Sequence, residues 1–371
     1  MIRTTKTGIS PSRRIVSAFG TCASGRETAR VAISERIVLA VRLPGFVNAH
    51  SHAFQRALRG RTEGGDFWAW RELMLAEAGR QTPELVRESY ARVYREMRGA
   101  GFTAVGEFHY LGLAEAHAAS EAASDAGVEL VLLHVAYARG GIERFRQASI
   151  AAYLDELEQL RDAGLRVGVA PHSVRACPAD WLEELGAYAE REGLPLHVHA
   201  DEQPREIEEC VAEHGVRPIE LLARTGCLGE RTTVVHATHA NGAELDLLAE
   251  AGARICVCPT TEANLGDGFL PVERVRSRAI AFCIGSDSNV RIDPLEELRE
   301  LEGIARRQSG RRNVIPLDEL LRIGREEGAR ALGLESWPEV EVDLAHRSLE
   351  GVEGDDVVAA LVFGASADVF G

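Results

Sequence analysis

Eight short runs rich in β-branched and other apolar residues recur along this chain, and patterns typical of helices lie between them. The runs are 43–52, 102–108, 128–133, 165–170, 194–198, 232–235, 253–258 and 279–284. The clearest helical patterns, each followed by a glycine, are 83–100, 113–126, 150–163, 179–192 and 242–251. Glycine takes the left-handed conformation past a helix end at little cost. Buried strands that alternate with helices in this way predict an α/β protein, a (β/α)8 barrel.

The barrel is expected to occupy residues 43–335, closed by helical segments at 294–307 and 317–332. Residues 1–42 contain one alternating segment, 30–40, and residues 336–371 contain short-strand material. We expect both chain ends to form one small β-domain. A doubly wound open sheet would share the alternation, but the chain has no Gly-x-Gly-x-x-Gly after the first strand and no P-loop.

Histidines concentrate at the ends of the predicted strands. Nine of the twelve lie in or just past a strand, and only His117, His214 and His346 lie elsewhere. Because the C-terminal ends of the strands carry the chemistry in barrels of this kind, the sorting predicts one functional site.

The first run ends in His50 and His52, which share one face of a strand because they are two residues apart. Together with His199 after the fifth run and Asp287 after the eighth, they form a predicted set of three nitrogens and one oxygen. Such a set suits a divalent, zinc-type catalytic ion that keeps one position for water and lowers the pKa of that water to about 7. His236 and Glu202 are then interpreted as proton carriers.

Several of these residues have a structural alternative. Asp287 could cap a turn in Gly-Ser-Asp-Ser. Of His197 and His199, we expect only His199 to be a ligand because it lies nearer the strand end, and His197 is interpreted as a packed, hydrogen-bonded histidine. His134 has no partner signal and is interpreted as structural.

Two further features stay open at this point. Glu107 ends the second strand and could belong to an ion pair at the barrel rim or to the catalytic machinery. Residues 260–268 could be a simple Gly-rich loop or a loop that contacts substrate.

Composition excludes several classes of protein. A net charge of −15 argues against nucleic-acid binding, and no apolar run reaches the length of a membrane span. The first residues lack the features of a signal peptide, so a cytoplasmic location is expected. Seven cysteines without Cys-x-x-Cys spacing do not describe a disulfide framework. Cys256, Cys258 and Cys283 are expected to be buried apolar groups.

The order of His50-x-His52, His199, His236 and Asp287 resembles the amidohydrolase superfamily, in particular its deaminases with a single metal ion. Longer motifs resemble one family within it, the formimidoylglutamate deiminases. These motifs are HSHAFQR (50–56), FWAWRELM (67–74), GEFHY (106–110), APHSVR (170–175), HATH (236–239), TEANLGDG (261–268) and GSDS (285–288).

The resemblance implies a small-molecule dicarboxylate substrate, N-formimino-L-glutamate, one zinc ion and a homodimer. It further implies that five residues hold the substrate: Gln55, Arg71, Tyr110, His172 and Arg175. The planar guanidinium groups of Arg71 and Arg175 can each bind one carboxylate. By spacing alone, Arg71 on a helix would instead predict a surface ion pair. The chain ends match the family poorly, so we expect a shortened small β-domain.

Three functions are compatible with these residues. The first is hydrolytic deimination, in which His236 and Asp287 help to deprotonate and orient the water and Glu202 passes a proton to the departing nitrogen. The second is deamination of a nucleobase or another amidine on the same scaffold, where arginines of this kind have no obvious use. The third is a non-catalytic metal-binding scaffold, which would not need Glu202 and His236.

Overall fold

The computed structural model describes residues 15–17 and 40–371, and eleven strands lie within this part of the chain. The strands are β1 (Ile15–Ser17), β2 (Ala40–Pro44), β3 (Phe46–Ser51), β4 (Phe102–His109), β5 (Glu129–Ala136), β6 (Val167–Pro171), β7 (Leu196–Ala200), β8 (Thr232–His236), β9 (Arg254–Val257), β10 (Phe282–Ile284) and β11 (Glu339–Asp343).

Helices follow nearly every strand of the barrel. They are α1 (Phe67–Ala78), α2 (Pro83–Gly99), α3 (Leu113–Ala126), α4 (Ile150–Asp162), α5 (Ala179–Glu192), α6 (Pro204–His214), α7 (Pro218–Arg224), α8 (Gly242–Glu250), α9 (Pro259–Leu265), α10 (Val272–Arg276), α11 (Pro294–Ser309), α12 (Leu317–Arg322), α13 (Gly328–Ala331) and α14 (Asp356–Gly364). One π-helical turn, Ile323–Glu327, joins α12 to α13.

Strands β3 to β10 form a parallel sheet in chain order, each paired with its sequence neighbour. Hydrogen bonds join the two edges of this sheet, because they connect the end of β3 to the segment that follows β10. The amide of Asp287 donates to the carbonyl of His50 (3.0 Å), and the amide of His52 donates to the carbonyl of Asp287 (2.8 Å). The side chain of Asn48 also accepts from the amide of Ser286 at 2.9 Å. The predicted (β/α)8 barrel is therefore confirmed.

The helices bury one face against this barrel, as α2 illustrates. Thr82 caps it by accepting from the amide of Leu85 (3.3 Å), and a proline occupies its first turn. Its buried residues Val86, Tyr90 and Met97 recur at helical spacing on one face. Burial of such a face supplies most of the stability of a helix of this length.

A second, smaller sheet combines both chain ends, as predicted. β2 lies at its centre, with β1 parallel on one side and β11 antiparallel on the other. The run 43–52 is therefore two strands that belong to different sheets. They separate at Gly45, where a side chain would collide with Thr103.

Two expectations about the chain ends need comment. Residues 336–371 were expected to be short strands, but only β11 is a strand, and α14 follows it. The valines of α14 favoured a strand by composition, whereas the tertiary packing of Leu361 and Val362 selects a helix. Most of segment 30–40 lies outside the described residues.

Among the described residues, no helix combines the length and the apolar character needed to span a bilayer.

The closure of the barrel leaves no room for a side chain at residue 285. A Cβ on Gly285 would lie 2.8 Å from the carbonyl oxygen of His50 and 3.1 Å from the sulfur of Cys256. We predict that Gly285→Ala lowers the free energy of unfolding by about 1–3 kcal/mol, because a well-packed interior must shift to accept the methyl group. Urea denaturation of metal-free protein measures this difference without interference from a bound ion.

Gly229→Ala is the matched control, because a Cβ there meets no atom within 4 Å. It should change the free energy of unfolding by no more than about 0.5 kcal/mol. Equal stability of the two variants would contradict the proposed closure.

Candidate active site

The end of β3 is irregular where it carries two histidines. Its pairing with β4 shifts register between Asn48 and Ser51, and such irregularities re-aim side chains next to functional sites. Glu107 braces this turn: it accepts from the Ser51 hydroxyl (3.0 Å) and from the amide of Ala53 (2.7 Å). Burial raises the pKa of Glu107 to about 8. Glu107 is thus a buried support for the backbone of His52, and its interpretation as a rim ion pair is wrong.

The structure brings together the four side chains predicted to be metal ligands. Nε2 of His50 lies 3.2 Å from Nε2 of His52 and 3.0 Å from Nε2 of His199. Oδ1 of Asp287 lies 3.2 Å from Nε2 of His52 and 3.6 Å from Nε2 of His50. One potential ligand atom from each residue lies within 4.8 Å of the other three, and all four residues are buried.

The protonation of these side chains fits a cation at their centre. His199 donates from Nδ1 to the carbonyl of His172 (3.0 Å), which leaves the lone pair of Nε2 directed at the cluster. Burial lowers the pKa of His50 to about 3, so its imidazole is neutral. Three such nitrogens beside a carboxylate make a donor set typical of catalytic metal sites.

Asp287 supplies the negative charge of this set. Burial opposes its ionisation, but its contacts with His50 and His52 outweigh burial and hold the pKa of Asp287 well below its usual range. The cluster is therefore suited to a divalent metal ion.

His236 and Glu202 lie beside the cluster. Nε2 of His236 is 3.7 Å from Oε1 of Glu202 and 4.0 Å from Oδ2 of Asp287. Burial disfavours the charged imidazole, yet the surrounding carboxylates, Glu202 foremost, raise the pKa of His236 to about 10. Burial also raises the pKa of Glu202 to about 7. Two groups that can carry protons thus lie next to the candidate metal centre.

Three of the predicted substrate residues, Gln55, Tyr110 and His172, lie beside the metal cluster. Gln55 donates from Nε2 to the hydroxyl of Tyr110 (3.3 Å), and its buried Oε1 has no partner among the described residues. The ring of Tyr110 lies 5.5 Å from that of His52 and 6.0 Å from that of His172, measured between centroids. A buried carbonyl oxygen without a partner and a phenol therefore lie beside the metal cluster.

The two predicted arginines lie on different elements, Arg71 on α1 and Arg175 in the segment after β6. Burial lowers the pKa of His172 well below its usual value, and the charges of both arginines lower it further. Arg71 is half-buried, and its nearest carboxylate is that of Glu72 at 3.7 Å. Both guanidinium groups thus act on one histidine next to the metal cluster.

Sequence reasoning missed two residues of the site. Tyr137 directly follows β5, and its ring centroid lies 4.5 Å from that of His172. Its place just past a strand end was the available signal. Glu262 was included in a predicted loop, 260–268, but lies on helix α9, whose start is marked by Pro259 in its first turn.

Other strand-end histidines have structural contacts. His134 bonds to Glu156 (3.0 Å) and stacks on Tyr153, in agreement with a structural interpretation. His197 lies on the same strand as His199 but one layer deeper, where its Nε2 donates to the carbonyl of Ala331 at 2.9 Å. The cysteines of the described residues are unpaired and buried, as expected.

A parallel eight-stranded barrel with a buried cluster of three histidines and one aspartate at its strand ends defines a metal-binding hydrolase. Residues 41–337 match the model of the Amidohydrolase family. The chain belongs to this family.

Individual relatives confirm the resemblance found in the motifs. The chain is 39% identical over 354 residues to the formimidoylglutamate deiminase of Pseudomonas aeruginosa, which covers 86% of this chain and 78% of the relative. It is 30% identical over 302 residues to a 5-methylthioadenosine/S-adenosylhomocysteine deaminase of Halobacterium salinarum, which covers 79% of this chain and 69% of the relative.

Two solved structures share the fold. An amidohydrolase from Brucella melitensis superposes with a TM-score of 0.78 at 33% identity, covering 93% of this chain and 87% of the other. An adenosine deaminase from Xanthomonas campestris with bound zinc superposes with a TM-score of 0.81 at 25% identity, covering 89% and 78%.

We predict that the metal content of the purified protein depends on His199. His199→Gln should weaken the binding of a divalent ion by at least ~100-fold, because even outer-sphere partners of metal ligands contribute about 10–100-fold. Mass spectrometry of the metal content after dialysis measures the loss. His134→Gln is the control, since it alters another buried strand-end histidine, and equal metal loss in both variants would contradict the assigned cluster.

Proposed function

We propose that this chain hydrolyses N-formimino-L-glutamate to N-formyl-L-glutamate and ammonia, with one zinc ion held by His50, His52, His199 and Asp287. The observation that carries the proposal is that two arginines lie near His172, whose ring centroid is 5.0 Å from that of His199 in the candidate metal cluster. The charges of Arg71 and Arg175 both act on His172. The 39% identity to a formimidoylglutamate deiminase supports the same substrate.

The polar groups suit a substrate with two carboxylates, one on the carbon that bears the formimino nitrogen and one at the end of its side chain. Each guanidinium group can bind one carboxylate in a bidentate manner. In a chain with a net charge of −15, such local cations are needed to attract a dianion. The free Oε1 of Gln55 can then accept a hydrogen bond from a nitrogen of the substrate.

Three residues of the chain handle the protons of this reaction. When bound, a zinc ion supplies Lewis-acid chemistry that makes water nucleophilic near neutral pH. Asp287 and His236 hold and orient the water, and Asp287 together with the neutral form of His236 helps to deprotonate it. Glu202, whose pKa is raised to about 7, carries a proton to the nitrogen that leaves as ammonia. The oxygen of the formyl product comes from water.

A second candidate is deamination of a purine nucleoside, favoured by the 30% identity to a 5-methylthioadenosine/S-adenosylhomocysteine deaminase. A site for a purine needs apolar surfaces that stack on the ring and donors for its edge. The two arginines next to His172 favour carboxylates instead.

The homodimer implied by the family and a cytoplasmic location are also part of our proposal, and light scattering of the purified protein tests the dimer.

We predict that the zinc-loaded protein releases ammonia from N-formimino-L-glutamate, and not from 5-methylthioadenosine, guanine, cytosine or a simple formamidine. Chelation should abolish the release and zinc should restore it. Asp287→Asn, which removes one carboxylate oxygen without changing size, is the inactive control. Release from the purine substrate alone would replace the first candidate with the second.

We further predict that Arg175→Gln raises KM for N-formimino-L-glutamate by at least ~10-fold, because a charge-assisted bond to a carboxylate contributes about 1.5–3 kcal/mol. Steady-state kinetics measure the change. Arg205→Gln is the matched control, since both arginines lie over the ring of Trp68 (Arg175 at 5.9 Å and Arg205 at 4.2 Å from its centroid) but Arg205 pairs with Glu209. An unchanged KM in Arg175→Gln would show that Arg175 does not bind the substrate.

A further inference from the structure

Glu262 is a buried carboxylate that the proposed chemistry does not use. Only 1% of its surface is exposed. Its Oε1 accepts two hydrogen bonds, from Nδ1 of His236 (3.2 Å) and from the amide of Cys258 (2.9 Å). Its Oε2 has no partner among the described residues. Burial of a carboxylate costs folding free energy unless the group is paired and hydrogen-bonded. The half-satisfied carboxylate of Glu262 therefore needs an explanation.

The helix that carries Glu262 is anchored on both sides. The hydroxyl of Thr261, the residue before Glu262, donates to the carbonyl of Ser286 (3.1 Å) and contacts the hydroxyl of Ser288 at 2.9 Å. These two serines flank Asp287. One residue earlier, the amide of Thr260 donates to the buried carboxylate of Glu297 (3.0 Å). Helix α9 therefore joins the segment that carries Asp287 to the side chain of His236.

His236 needs such support because its backbone is unusual. It has φ +76°, and Ala237 after it has φ +54°. Left-handed conformations are rare for residues with a side chain and persist only where the surroundings impose them. The strand therefore ends abruptly at His236, and the orientation of the imidazole depends on its side-chain contacts.

We infer that Glu262 is a positioning residue that fixes the ring orientation of His236 and keeps the proton on Nδ1 whenever the imidazole is neutral. A hydrogen bond to Oε1 of Glu262 requires that Nδ1 of His236 carries a proton. Nε2 is then the nitrogen that faces Glu202 and Asp287, where the reacting water must lie. The effect on turnover rests on the proposed function, whereas the effect on the tautomer does not.

Two substitutions separate the geometry from the charge. In Glu262→Gln, the amide of Cys258 still selects the oxygen at the Oε1 position, so this oxygen still accepts from Nδ1 of His236. The amide nitrogen then takes the place of the unpartnered Oε2. In Glu262→Ala, the acceptor is lost altogether. We therefore expect the tautomer to survive in the first variant and to be lost in the second.

The direct test is nitrogen NMR of the zinc-loaded protein labelled at histidine, with His236 assigned by its absence in His236→Gln. The wild type and Glu262→Gln should both show a protonated Nδ1 for His236. Glu262→Ala should show a shifted or averaged Nδ1 signal. Unchanged signals of His236 in Glu262→Ala would overturn the inference, whatever substrate the protein turns over.

Kinetics with N-formimino-L-glutamate provide the second test. We expect kcat to fall about 10–100-fold in Glu262→Ala, as for other residues that orient a catalytic group, with KM changed less than about threefold. Glu262→Gln should lose less of kcat than Glu262→Ala, because it keeps the acceptor. Glu297→Ala is the matched control, because it removes another buried carboxylate bonded to α9 and should leave kcat within about threefold.

The outcomes separate the two proposals. Equal losses of kcat in Glu262→Ala and Glu297→Ala would mean that α9 needs carboxylates only for its structure, and would overturn the positioning role. If Glu262→Ala does not fold, Glu262→Leu, which also lacks an acceptor but fills more of the space, replaces it in both tests. Absence of turnover in the wild type would instead refute the proposed substrate, while the NMR comparison would still decide the role of Glu262.

Discussion

The hydrogen bonds between the end of β3 and residue 287 are the interaction on which the rest of this structure depends. The backbone groups of His50 and His52 that pair with Asp287 bring together the two edges of an eight-stranded sheet. The side chains of these same three residues are candidate metal ligands. Closing the barrel and assembling the cluster are therefore one structural event. A change that opens this seam must also separate the ligands.

The main electrostatic feature of the site is a group of buried carboxylates whose negative charges are not fully neutralised by neighbouring side chains. Glu202, Glu262 and Asp287 surround His236, and each is buried. Carboxylates this close repel one another and lose hydration, which destabilises their ionised forms unless a cation is near. A proton on His236 and a divalent ion at the histidine cluster both supply positive charge. Because like charges repel, binding of the ion should loosen the proton on His236, which is what a group that moves protons requires.

Much of the fold and part of the site follow from sequence patterns. Strand runs, helix-ending glycines and strand-end histidines are local signals, and they predicted the barrel, its small companion sheet and a cluster of His50, His52, His199 and Asp287. Local signals failed where a contact distant in sequence decided the outcome. The valines of α14 do not indicate a helix. Nothing in the sequence near Glu107 indicates that its carboxylate accepts hydrogen bonds from the residues on either side of His52.

The sequence by itself determined which residue types end the strands, and in a parallel barrel these ends must meet because all strands point the same way. It could not determine how each side chain is aimed. The left-handed turn at His236 and the placement of Glu262 against its ring were decided only by tertiary structure. The physical reason is that both depend on α9, which is held by residues 286, 288 and 297, more than twenty positions along the chain. No local pattern encodes a constraint imposed from that distance.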